Sequence, residues 1–107
     1  MHIRFDDETL VFGEAQEGDE VLAEFIFTNI GRDTVEIDLV SACDCIRAEW
    51  PREPIFPGES ALISTIFDTK GWAGERHKTI DIIFKNTDSS GYPWVKQVAL
   101  DGTVEPK

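Results

Sequence analysis

The chain has 107 residues, enough for one domain and too few for two. Apolar residues at 41% and aromatics at 10% give a globular composition, and no apolar run exceeds three residues, which excludes a bilayer-spanning segment in it. Twenty-one acidic residues against ten basic leave a net charge of −11, which argues against nucleic acid and anionic membrane surfaces as partners. Thirteen of the acids fall in residues 1–50, a charged surface that solubilises the domain or steers a basic partner to it.

Short alternating stretches follow one another, separated by turn residues. Leu10-Val11-Phe12-Gly13 comes first, and Gly18-Asp19 turns the chain. Val21, Ala23, Phe25 and Phe27 recur at every second position up to Asn29-Ile30-Gly31. After Arg32-Asp33, the residues Val35, Ile37 and Leu39 alternate with Glu36 and Asp38. Ile46, Ala48 and Trp50 alternate next, and Pro51, Pro54 and Pro57-Gly58 interrupt. Ala61, Ile63, Thr65 and Phe67 share a face, and Gly71 to Gly74 is a loop. Ile80, Ile82 and Phe84 alternate with Asp81 and Lys85, Asn86 to Pro93 is polar, and Trp94, Val98, Leu100 and Val104 close the chain.

Period two places successive side chains on opposite faces of a sheet. Repeated stretches rich in Val, Ile, Phe and Thr between turn signals predict an all-β sandwich of seven to eight antiparallel strands in one domain. The predicted inner faces carry Phe12, Phe25, Phe27, Ile37, Leu39, Ile63, Phe67, Ile80, Ile82, Phe84, Val98 and Leu100. Pro51, Pro54 and Pro57 are expected to mark a crossing between sheets, because proline cannot donate to a central ladder. Residues 105–107 read as a frayed end or linker.

The same residues resemble a known family. Phe12-Gly13, Gly18, Phe25-Ile26-Phe27-Thr28-Asn29-Ile30-Gly31, Val40-Ser41-Ala42-Cys43-Asp44-Cys45, Ile55-Phe56-Pro57-Gly58-Glu59, Ile66-Phe67-Asp68-Thr69, Gly74 and Leu100-Asp101-Gly102-Thr103-Val104 occur in order across nearly the whole chain. Together they resemble the bacterial Ig-like "domain of unknown function fifteen-seventy-three", a relative of the Hydin/ASH and major-sperm-protein-like sandwiches. Asp44 and Ile46 stand where that family usually has Gly and Thr after its cysteines. The resemblance implies an Ig-like sandwich, a binding-module habit and an extracytoplasmic location. No signal peptide is legible in the chain.

Cys43 and Cys45 are the only cysteines. On a regular strand their Cα atoms would stand about 6.5–7 Å apart, at or beyond the usual span of a disulfide. They lie instead in a connection between alternating stretches, which can bend. Four readings stay open: two small half-buried side chains, a strained disulfide, a soft-metal site and a redox pair. A metal held by Cys43 and Cys45 would need further ligands, of which Asp44, His77 and His2 are the candidates. His77 reads as a solvated loop residue.

No serine sits in a nucleophile elbow, no glycine loop suits phosphate, and neither Asp88-Ser89-Ser90-Gly91 nor Asp6-Asp7-Glu8 has calcium-loop spacing. Trp50 and Trp94 read as rim residues of the core. Trp72, in a loop between glycines, either folds over the end of the sandwich or stands out as an interaction anchor. The expected function is a non-enzymatic binding or scaffolding module with a protein partner and no cofactor, part of a larger exported or surface protein. The alternative is a small metal-binding or redox protein acting through Cys43 and Cys45.

Overall fold

Alternation becomes strand wherever one face can be buried. The computed structural model describes residues 1–107 and contains eight strands and no helix. They are β1 (Ile3–Phe5), β2 (Thr9–Gln16), β3 (Glu20–Asn29), β4 (Ile37–Ser41), β5 (Ile46–Glu49), β6 (Ser60–Asp68), β7 (Gly74–Thr87) and β8 (Pro93–Glu105). They form two four-stranded sheets, ordered β1-β3-β6-β5 and β2-β8-β7-β4. The chain belongs to the all-β, Ig-like class that the alternation and the resemblance predict.

The centre follows the period directly. In β3 Ala23, Phe25, Phe27 and Asn29 point inward, and in β6 Ala61, Ile63, Thr65 and Phe67 do. These two strands pair antiparallel from Glu20 opposite Asp68 to Thr28 opposite Ser60. The facing sheet contributes Ile80, Ile82 and Phe84 from β7 and Val98, Leu100 and Val104 from β8. Phe27 joins the layers, with ring centroids 5.2 Å from Phe5 and 5.9 Å from Phe84. Buried Asn29 ties two loops to this core. Its amide nitrogen donates to the carbonyls of Asp33 and Ile55 at 2.8 and 3.0 Å, and its side-chain oxygen accepts the Gly31 N–H at 3.0 Å.

Several expectations need correction. β2 pairs with β8 in parallel, the one parallel pair in the two sheets. Leu39 is not core: the β4–β7 register shifts between Ile37 and Leu39, so Ile37 and Val40 are buried and Leu39 is 47% exposed. An extra residue in one strand breaks the period of two at that point. Phe12 is half-buried, packed against the core rather than enclosed in it. Pro51, Pro54 and Pro57 do not mark a sheet crossing, because β5 and β6, which they separate, are neighbours in one sheet. The crossing next to β5 is the Ala42–Cys45 connection from β4, one of five connections that join strands of different sheets. The last strand runs through Glu105, whose carbonyl accepts the Glu17 N–H at 2.9 Å.

Candidate functional site

β4 and β5 are the edge strands of the two sheets on the same side of the sandwich. Between them lies a groove of about 440 Å³, lined mostly by apolar side chains. Its closed end is the crossing turn. There the Ile46 N–H donates to the Cys43 carbonyl at 3.0 Å, and the Asp68 N–H of β6 donates to the Cys45 carbonyl at 2.8 Å. Cys43 and Cys45 are joined by a disulfide across a Cα separation of 5.2 Å. The turn brings the two Cα atoms closer than a strand would, which makes the bridge attainable.

The two walls differ. Every residue from Leu39 to Asp44 lines the groove, whereas β5 and the residue after it contribute only Ile46, Ala48 and Trp50. The unbroken run, Leu39–Ser41 of β4 and Ala42–Asp44 of the turn, means that this wall offers its main-chain edge. A run at every second position means that β5 offers its inward face. Trp50 also borders a second hollow of about 360 Å³ beside Pro51 and Leu62, and the Arg52 guanidinium stacks 4.1 Å from its ring centroid. The Trp50 indole N–H is buried without an acceptor, which in general costs about 1–3 kcal/mol.

The rim is anionic. Asp44 lines the groove and is exposed. Asp38 is exposed on β4 beside it, and Glu49 is exposed on the outward face of β5, against the second hollow. The ion pairs of the structure are Glu20–Arg47, Asp101–His77, Glu36–Lys85 and Glu8–Lys96. None of these three acids therefore has a cationic partner, and Arg47, the cation on β5, is already paired.

The other candidates lie apart from this groove. His77 is not in a loop: it stands on the outer face of β7 opposite Asp101 of β8, with its Nδ1 against the Asp101 carboxylate. Beside this pair is a shallow polar depression of about 520 Å³ bordered by Val11, Gly13, Glu75 and Thr103. No Ser or Cys lines it, so the imidazole has neither of those as a nucleophile to activate. No point of the structure gathers three or more His, Cys, Asp or Glu side chains in metal-binding geometry. His2, Asp44 and His77 are not brought together around the cysteines. Holding a soft metal there would first require the disulfide to be reduced, and as a redox pair the cysteines stand in their oxidised form.

Trp72 lies half-buried against the end of the core. Its N–H donates to the Thr69 carbonyl at 2.9 Å, and its own carbonyl accepts the Arg76 Nε–H at 2.8 Å. The Lys78 ammonium sits 3.1 Å from the ring centroid. Burial lowers the Lys78 pKa below its ordinary 10.5, and the nearby Arg76 charge lowers it further. Trp94 is 39% exposed at the start of β8.

Sequence reading found both walls of the groove but not their juxtaposition. The signal for that juxtaposition is the Cys43–Cys45 segment itself, which separates two alternating stretches without a proline and, with Ala42, carries the chain between sheets in four residues.

The model of a family described as "Protein of unknown function (DUF1573)" matches residues 3–102. No curated protein matches the sequence. Among solved structures, the ASH/PapD-like domain of human CEP192 (PapD-like domain 7) superposes with a TM-score of 0.74 at 10% identity, over 98% of this chain and 86% of that one. A protein of unknown function from Porphyromonas gingivalis W83 gives 0.74 at 19% identity, over 95% of this chain and 46% of that one. The Vibrio cholerae VesB protease gives 0.74 at 11% identity, over 95% of this chain and 32% of that one. At these identities the likeness is one of fold.

Proposed function

Because the chain belongs to the family of unknown function DUF1573 and has the Ig-like, PapD-like sandwich, we propose that it is a non-enzymatic binding or scaffolding module, one unit of a larger exported or surface protein. The observation that carries this reading is the apolar groove open between the β4 and β5 edges. Apolar surface bordered by polar residues is the usual mark of an interaction site, and an unpaired sheet edge is a template for another chain. The human neighbour is one numbered member of a set of PapD-like domains, and the two bacterial neighbours are longer chains of which this fold is a part. Both support a modular unit. Trp72 is the secondary candidate for contact, at the far end of the β6–β7 connection.

Site-specific photo-crosslinkers in the full-length protein, in its native cell, test the reading. One each replaces Ser41 on β4, Lys70 beside Trp72, and Ser90 in the β7–β8 loop. A discrete adduct with another protein from at least one position is the expected result. Adducts from none of them, above a no-irradiation control, overturn it.

A further inference from the structure

We propose that the groove between β4 and β5 receives an extended basic segment of a protein partner, added as a fifth strand on the free edge of β4. This rests on the binding-module reading and specifies its ligand.

Strand addition needs unpaired main-chain groups along one wall and side-chain pockets at two-residue spacing along the other. β4 pairs with β7 on one side only, and its other edge is the continuous wall of the groove. Ile46, Ala48 and Trp50 supply the second wall at the required spacing. The middle one is alanine, so the deepest room lies opposite Ala48, between the larger Ile46 and Trp50. That position takes the largest apolar side chain of the incoming segment. β4 is five residues long, which limits the paired length to about 17 Å, and Leu39 to Ser41 are its residues on the groove.

Charge decides the occupant. Asp38 and Asp44 flank the β4 edge, both exposed and both without a cation, and Asp44 itself lines the groove. The whole chain carries −11. A second copy would bring the same acids against themselves, so self-association is disfavoured. An extended segment with Lys or Arg on alternate positions neutralises Asp38 and Asp44 while its apolar residues face β5. Arg52, stacked on Trp50 and in none of the ion pairs, is a cation on the β5 side, so the basic residues of the segment lie on the β4 side with Asp38 and Asp44.

The test is titration of the isotope-labelled chain, followed by amide NMR, with synthetic peptides of roughly eight residues, long enough to cover the β4 edge. The first alternates Val and Lys, the second has Glu for Lys, and the third is the Val–Lys peptide N-methylated at alternate amides so that it cannot pair with an edge. The expected result is that the Val–Lys peptide shifts the amides of residues 37–44, with about tenfold or greater loss for each of the other two peptides. The exposed pair Asp38→Asn with Asp44→Asn should weaken binding about three- to tenfold, with the loss shrinking as salt rises. Ala48→Leu, which fills the floor, should weaken it similarly, and its amide spectrum away from the groove reports that the fold persists.

Equal binding of the Val–Lys and Val–Glu peptides, indifference to N-methylation, shifts confined to other strands, or no binding at about 1 mM, a concentration weak sites already register, each overturn the proposal. If that happens while Lys70 or Ser90 crosslinks a partner, the module reading survives and the groove assignment does not. Adducts from no position remove both.

Discussion

On one side of the sandwich, β1 and β2 send Phe5 and Phe12 toward the core. On the other, β4 and β5 send Val40, Ile46 and Ala48. Both sides are places where the chain changes sheets, through Asp6–Glu8 in the first case and Ala42–Cys45 in the second. The Phe5 ring packs on Phe27 and the Phe12 ring meets Phe67 edge-on with centroids 6.1 Å apart, so large side chains fill the space between the layers. At the second crossing, alanines and a disulfide are too small to fill it. Two sheets about 10 Å apart are closed at an edge only if the inward residues there span the gap. Side-chain volume at the edges therefore decides which side is core and which is groove.

The largest effect should come from the closed side. Phe27→Ala removes the ring that Phe5 rests on and should destabilise by about 3–5 kcal/mol in urea unfolding. A loss below about 1 kcal/mol, the level of a surface change, would show that the aromatic layer does not hold that side together.

Gly102 sharpens the same point. A Cβ there would meet the Phe12 ring at 2.4–2.6 Å. Gly102→Ala should cost about 1–3 kcal/mol by overpacking. Combining it with Phe12→Leu should recover part of that loss, so a double-mutant cycle should show clear coupling. Additive losses would mean that Phe12 does not seal β2 onto β8.

The open side should be less sensitive. A disulfide closing so short a loop is worth roughly 1–2 kcal/mol by loop entropy. Cys43→Ser with Cys45→Ser should leave the sandwich folded and lower the melting temperature by about 4–10 °C. Reductant should lower the wild-type melt by a similar amount and leave the double variant unchanged. A chelator should move neither. A large chelator effect on the wild type would revive metal binding at Cys43 and Cys45.

The smallest effect concerns the end capped by Trp72. The Lys78 pKa is lowered in the folded protein, so between that value and 10.5 the unfolded chain binds more protons. The cost of holding the charged ammonium is complete below the folded pKa and gone above the unfolded one. Relative to Lys78→Met, the wild type should therefore gain stability as pH rises toward 10.5, measured by paired denaturant curves. A relative loss over that range would mean that attraction to the Trp72 ring outweighs burial.

Legibility varied with how completely a strand is flanked. β3, β6 and the middle of β7 lie between other strands and bury one full face, so Phe25, Phe27, Ile63, Phe67, Ile80, Ile82 and Phe84 were readable from period two alone. β4 is an edge strand whose bulge shifts the period, and the alternation that points Leu39 inward ends at Ile37. His77 reads as a loop residue in sequence because Gly74, Glu75, Arg76 and Lys78 resemble turn chemistry. β8 is long enough to carry β7 outward through those residues, pairing Gly74 with Val104 and His77 with Asp101.

Local chemistry determined that this chain is an all-β sandwich: alternation, turn residues and buried aromatics act over a few positions and need no partner to be recognised. Tertiary structure alone decided the parallel seating of β2 on β8, the closing of Cys43 onto Cys45, and the meeting of the β4 edge with Ile46, Ala48 and Trp50. Pairing partners and crossing points depend on which strands compete for the same edge, and on how much space the side chains brought there leave between the layers. A hydropathy pattern records the face a residue prefers and carries no information about the strand that will lie beside it.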